Sequence, residues 1–418
     1  MERANSLTGW RNRTVSRRTL LRAGGVAAAG SAAIALGACG GDDDSSKLTN
    51  TTTREPVIGA LEQQKQRRFG TGLIGWNPDK TFDGLTLFST SLGTSIFVAD
   101  MNGTIINRWD ITEPGDAAVV WVAELLENGN LFVIVHEPAG DAPLLVFKGG
   151  IIKELDWDGN VVWQFDDSAQ HHDASLLPNG NLLILRGEPV PPDIVSRVQG
   201  GQPGTEAEAM WTDYVVEVTL DGEVVWEWHA WEHLDVDTDI INAQDMREEW
   251  THANSIDQLP NGDLLISFRN ISTVLIASRD SGEVTWKYSQ PNVAQQNDAH
   301  MLPNGNVLIY DNGAHRENSA LPFSRVVEVN PKTDDTMWEY TDPTLFNFFS
   351  PFISGAQRLE NGNTLITEGN FGRIFEITSD GELVWEYVSP FFVNNAILGE
   401  NNSVFRAFRY REDAFNRT

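Results

Sequence analysis

The chain has 418 residues, 41% of them hydrophobic, with 36 glycines and 14 tryptophans, which is ample apolar material for a large core and a composition leaning towards all-β structure. Acidic residues outnumber basic ones by 59 to 30, a formal net charge of −29 spread along the whole length, which argues against nucleic acid or an anionic membrane surface as a partner. A single cysteine leaves no disulfide framework.

In chain order, residues 1–38 read as a targeting segment. Arg17-Arg18 lies in Ser16-Arg17-Arg18-Thr19-Leu20-Leu21, the pattern of a twin-arginine export signal. Val26 to Ala38 follows, an Ala/Gly-rich apolar stretch too short to span a bilayer permanently. It ends in Leu36-Gly37-Ala38-Cys39, which matches a lipoprotein cleavage box. Cys39 is therefore the expected lipidated N-terminus of a protein held on the outer side of the cytoplasmic membrane or in the periplasm, touching membrane through that anchor alone. Residues 39–56 are a Gly-, Asp-, Ser- and Thr-rich tether. Residues 57–74 form a lead-in, in which Val57 to Phe69 can make one short helix.

From residue 75 to 412 the chain repeats. Six segments close on a turn, an alternating apolar pair and a tryptophan, at Trp109, Trp163, Trp226, Trp286, Trp338 and Trp385, spaced 54, 63, 60, 52 and 47 residues apart. A second phrase alternates with the first: Glu127-Asn-Gly-Asn130, Leu177-Pro-Asn-Gly-Asn181, Leu259-Pro-Asn-Gly-Asp263, Leu302-Pro-Asn-Gly-Asn306 and Leu359-Glu-Asn-Gly-Asn363. Asn-Gly between alternating apolar runs signals a hairpin with a type I′ turn. Each unit of about 50 residues then holds two hairpins, which is a propeller blade. The expected fold is all-β: a six-bladed β-propeller of four-stranded blades behind the signal peptide and tether. Each tryptophan is expected as an apolar plate in the wedge between neighbouring blades.

The innermost strand of each blade lines a propeller's channel, and here the strands next to the Leu-Pro-Asn-Gly phrase fit that position. Four of the eight histidines precede that phrase in three successive blades: His171-His172-Asp173, His252-Ala-Asn254-Ser255 and Asp298-Ala-His300. Arg269 follows the second hairpin on its far side. Counted back from the shared leucine, His172, His252 and His300 stand five, seven and two residues away. Strict alternation cannot put all three on one face, so a bulge must re-aim at least one.

Insertions at Gly187 to Trp211 and His229 to Trp250 are long for this fold and suit the covering of a channel mouth. His229 and His233, four apart, have a metal pair's spacing but no third ligand nearby, so a surface location is the stronger reading and no metal is expected. Phe346-Asn-Phe348-Phe349-Ser-Pro-Phe352 offers either aromatic walls or blade packing.

These strings together, with Asp311-Asn312-Gly313 and Gly362-Asn-Thr-Leu-Ile-Thr-Glu368-Gly-Asn-Phe-Gly-Arg373, resemble the arylsulfotransferase family over residues 85–410. The resemblance implies a six-bladed propeller that moves a sulfuryl group from an aryl sulfate to a phenol by a ping-pong route, without a nucleotide sulfate donor or any cofactor. It implies His300 as the sulfated nucleophile, His172, His252 and Arg269 around the sulfuryl group, and Asn254 and His171 as substrate-binding positions. Either His252 or His172 supplies acid/base catalysis. The chain departs from the family in lacking a separate N-terminal β-domain and a cysteine pair. Two rival functions remain. Ala277-Ser-Arg-Asp280-Ser-Gly282-Glu-Val-Thr-Trp286 looks like the repeat of quinoprotein dehydrogenases, although six repeats are fewer than their usual eight blades. A non-catalytic, lipid-tethered binding propeller would need no clustered histidines.

Overall fold

A computed structural model describes residues 56–61, 70–111, 119–136, 149–206, 208–395 and 399–417. The export signal, Cys39 and the tether up to residue 55 lie outside the described residues.

The strands assemble into a six-bladed propeller with four strands in each blade. From the inside outwards, blade two is Val119–Leu125, Leu131–His136, Gly150–Leu155 and Val161–Asp167. Blade three is Gln170–Leu176, Leu182–Pro189, Trp211–Val218 and Val224–His229. Blade four is Ala253–Gln258, Leu264–Phe268, Thr273–Ala277 and Val284–Ser289. Blade five runs Asn297–Met301, Val307–Asp311, Arg325–Val329 and Thr336–Tyr340, and blade six Gly355–Arg358, Thr364–Glu368, Arg373–Ile377 and Leu383–Val388. Blade one is composite. Leu85–Thr90, Ser95–Ala99 and Ile105–Asp110 come from the start of the domain, and its innermost strand, Val404–Tyr410, from the end.

The lead-in differs from its expected helix at its start. Val57–Ile58 is a short strand parallel to Gly72–Trp76, which itself pairs with the outer strand of blade six.

Period-2 alternation explains the core. Buried side chains of each blade point alternately into two neighbouring seams, so Leu264 and Ile266 pack against blade three while Leu265 packs against blade five. Every seam between adjacent blades carries one such apolar cluster. The tryptophans add polar ties between blades. The indole N–H groups of Trp226, Trp338 and Trp385 donate to the carbonyls of Arg279, Ser379 and Met101 in the next blade, at 3.1, 2.8 and 3.0 Å. Five of the six tryptophans occupy one position, paired across from the third-strand residue just ahead of a bulge. Trp109 is the exception. Asn107 holds that place in blade one, and Trp109 sits two residues further along the same face.

The turns also depart from expectation in type. Gly180 N donates to Leu177 O (2.9 Å) while Leu177 N donates to Asn181 O (2.8 Å). Only the glycine, with φ of +84°, is left-handed. This is a type I turn closed by a glycine bulge, which suits Pro178 at its second position as type I′ would not. The flanking asparagines have their own task. Asn179 and Asn181 both donate to Glu217, a buried third-strand carboxylate. Asn128 and Asn130 do the same for Glu154, and Asn304 and Asn306 for Glu328.

Around the channel, three successive inner strands each accept an N–H from the next. Asp173 accepts from Ile256, Ser255 from Ala299 and Asp298 from Ala356, at 2.9–3.0 Å. Arg406, buried on the closing strand, bonds Asp173, Asp298 and the carbonyl of Asn254. No helix among the described residues is long and apolar enough to cross a membrane.

Candidate functional site

All three histidine-bearing inner strands bulge, and the bulges set the site. In blade three, Gln170 pairs with Arg186 and the next pair is Ala174 with Ile184, so His171, His172 and Asp173 together face Leu185. In blade four, Ala253 pairs with Phe268 and Ser255 with Ser267. In blade five, Asn297 pairs with Tyr310 and His300 with Leu308. His172 and His252 both adopt left-handed backbone, with φ of +50° and +55°, a conformation that non-glycine residues keep only where the surroundings hold it.

This turns His172 and His252 towards each other, with ring centroids 4.8 Å apart. Each imidazole is backed by a carboxylate. His252 Nδ1 bonds Glu249. His171 Nε2 lies 3.1 Å from Asp213, and His171 Nδ1 is 2.9 Å from His172 Nδ1. A carboxylate so close disfavours a lone pair on Nε2, so His171 carries its proton there and presents a lone pair at Nδ1. His172 must then donate from Nδ1, which leaves its own lone pair on Nε2. Burial, reinforced by the positive potential of His252, His171, His136 and Arg406, holds the His172 pKa well below the usual 6.5. It is a neutral imidazole at neutral pH.

Aromatic rings wall this pair. Trp121 meets His172 edge-on at 4.3 Å, and Phe405 lies 6.2 Å from it. His136 packs against Trp121 at 5.0 Å. Asp213, Glu249, Trp121, His136 and Phe405 are all contributions that the sequence reading missed. Only Glu249, three residues before His252, left a local signal. Asp213 comes from the third strand of blade three, Trp121 and His136 from blade two, and Phe405 from the closing strand.

Arg269 faces the rung of His252, its backbone N–H donating to the His252 carbonyl at 3.0 Å. Its guanidinium bonds Gln295 and Asn270 at 3.1 Å each and Asp245 at 3.4 Å. Asp245 comes from Ile241–Met246, which pairs with Gly200–Gln202, so the two insertions meet as a small sheet beside Arg269. Asn254 is fully buried and spans to blade five, donating to Gln296 O at 2.8 Å. His300 stands apart from the pair. Its rung is that of Asp257, whose carboxyl it neighbours, whereas His252 faces Arg269 four residues further along the second strand. At about 3.3 Å per residue, the offset is roughly 13 Å. The rung nearest to His172 in blade five belongs to Asn297.

The remaining candidates have structural explanations. His229 bonds Glu188 at 2.7 Å, and His233 stacks on Trp228. Among the described residues no cluster could hold a metal ion. Phe348 is buried against Tyr310, Tyr340 and Phe375 and serves blade packing, whereas Phe346 is exposed.

The sequence profile of the family described as Arylsulfotransferase (ASST) matches residues 124–390, well over half of the chain. The chain belongs to the arylsulfotransferase family. Membership assigns it to aryl sulfotransferase chemistry as a class. No curated protein sequence matches it. Among solved structures it is similar to a protein of unknown function from Bacteroides caccae, at 15% identity and a TM-score of 0.50, over 79% of this chain and 100% of that one. A streptogramin B lyase is 12% identical at a TM-score of 0.44, covering 81% and 93% of the two chains. A europium-containing methanol dehydrogenase is 13% identical at 0.38, covering 78% and 69%. At such identities the first likeness is one of fold alone.

Proposed function

We propose that this arylsulfotransferase moves a sulfuryl group from an aryl sulfate ester to a phenol in two steps, with His172 as the carrier and no nucleotide donor. The observation that carries the reading is the bond between His171 and His172 with Asp213 close to the far side of His171, which favours a lone pair on Nε2 of the buried, neutral His172, beside a second histidine backed by Glu249. In the first step His172 Nε2 bonds to sulfur as the sulfur–oxygen bond to the aryl group breaks. His252 gives the departing phenolate its proton. In the second step the acceptor phenol loses its proton to His252, its oxygen bonds to sulfur, and the sulfur–nitrogen bond breaks. Like phosphoryl transfer, this passes through a loose, in-line transition state with charge on the equatorial oxygens. Arg269 supplies donors for that charge, while Trp121 and Phe405 offer faces for the aryl ring.

His172 is preferred to His300 because His300 stands about four rungs along the channel from His252 and Arg269. The two assignments separate cleanly by experiment. Incubated with an activated aryl sulfate and no acceptor, the protein should release one equivalent of phenol and then stall. Cleavage after Lys and Arg places His172, His252 and His300 on three different peptides, residues 154–186, 248–269 and 288–316. The mass of one SO3 group should appear on the first. An adduct on the third would restore His300, and turnover with no adduct would mean direct transfer.

A further inference from the structure

A cavity of about 680 Å³ opens beside Arg269, within the range of small-molecule sites. One wall is the insertion strand Ile241–Met246, another the segment after Asp311-Asn312-Gly313. Its floor is wired to Arg269. Asn242 donates to the Arg269 carbonyl (3.4 Å) and to Ser272 (3.0 Å), and accepts from Gln290 (2.8 Å). His315, on the opposite wall, lies within electrostatic reach of both Arg269 and Asp245.

The lining defines what would fit. Its cation is already engaged: Arg316 bonds Asp311 at 2.9 Å and lies over the Phe323 ring. Burial holds the His315 pKa below its usual value, so that group is neutral at neutral pH. Glu317 is exposed on the rim and has no ion pair among the described residues. An anion would therefore find no counter-charge. Thr238, Gln244, Ser289 and Gln290 present amides and hydroxyls, while the side chains of Ile240 and Leu321, 42% and 41% exposed, form apolar edges. Amides and hydroxyls framed by small apolar surfaces suit a neutral ring carrying several hydroxyl groups.

We propose that this cavity binds the sugar or polyhydroxylated second ring of the acceptor, so that the preferred substrates are neutral glycosylated phenols rather than single phenolic rings. The inference rests on the sulfuryl-transfer reading for what happens to the phenol, but the binding itself does not need that reading.

Four probes share a 4-hydroxyphenyl core: arbutin, which carries a glucose, hydroquinone, the cation tyramine and the anion 4-hydroxybenzoate. Titration calorimetry without any sulfate donor should find arbutin bound about tenfold or more tighter than hydroquinone. Leu321→Trp, which fills the cavity from its rim, should erase that advantage and leave hydroquinone unchanged. Gln244→Ala, a milder change at an exposed position, should reduce it. Equal binding of arbutin and hydroquinone, tighter binding of either charged probe, or an arbutin preference surviving both substitutions would overturn the proposal. If the binding pattern holds while no sulfuryl group is ever transferred, the cavity stands and the reaction assignment fails.

Discussion

His171 and His172 are joined through their Nδ1 atoms, 2.9 Å apart, and this bond between sequence neighbours fixes which nitrogen of the second ring is free. Adjacent residues of a regular strand point to opposite faces. The bulge between Gln170 and Ala174 and the left-handed His172 backbone are what let the two rings meet.

Asp213→Asn should therefore act at a distance. An amide N–H facing His171 would make Nε2 the acceptor, move the proton to Nδ1, and push the lone pair of His172 from Nε2 to Nδ1. The phenol burst should slow by about 100-fold or more, as when a carboxylate that sets a catalytic tautomer is replaced by its amide. Nitrogen NMR of the histidines should show the exchanged tautomers. Equal burst rates in both proteins would remove the relay from the mechanism.

The depressed pKa of His172 has a sign that can be measured. Folded His172 resists protonation, whereas the unfolded chain takes up the proton near 6.5. Above that pH the residue contributes no pH dependence, and below it stability falls as the unfolded state gains protons. Melting temperature should drop more steeply below pH 6.5 in the wild type than in His172→Gln. Because the nucleophile stays neutral, the burst should also persist well below pH 6.5.

Glu124 behaves in the opposite sense. Burial, and then the negative potential of Asp173, push its carboxyl up to about 8 against the partial relief of Arg406. The folded protein therefore holds a proton that the unfolded chain releases near 4.5, and stability falls as pH rises from there towards 8. Glu124→Gln should leave melting unchanged near pH 4 and raise it at pH 8. A uniform shift at every pH would show that packing, not ionisation, was altered.

Trp385 is fully buried, and its N–H ties blade six to Met101 in blade one. Trp385→Phe leaves that carbonyl unpaired and should cost about 2 kcal/mol in denaturant unfolding. The same change at half-buried Trp338, where water can replace the indole, should cost less.

Cys39→Ala tests the proposed lipid anchor. The substituted protein should leave the membrane fraction for the soluble one, and its retention on membranes would show the cleavage box misread.

The repeat was legible because turns and seams are local. Leu-Pro-Asn-Gly-Asn encodes its own bend, and alternate apolar residues encode two seams. The first blade was obscure because its inner strand is supplied from more than 300 residues away. The site was half legible. Three histidines beside one phrase marked the channel, yet bulges decide which of them share a rung, and nothing in His-His-Asp or Asn-Asp-Ala-His spells out a bulge. Asp213 was silent, since a carboxylate reaching a histidine from another strand leaves no spacing to read, whereas Glu249 left only its three-residue spacing from His252.

The placement of Arg406 on the closing strand makes charge part of how the ring shuts. Without Val404–Tyr410, Asp173 and Asp298 would have no guanidinium between them. That strand thus brings both the final rung of the first blade and the positive charge that the ring centre lacks. Blade closure and charge compensation are therefore one event, and a ring opened at this strand loses both together.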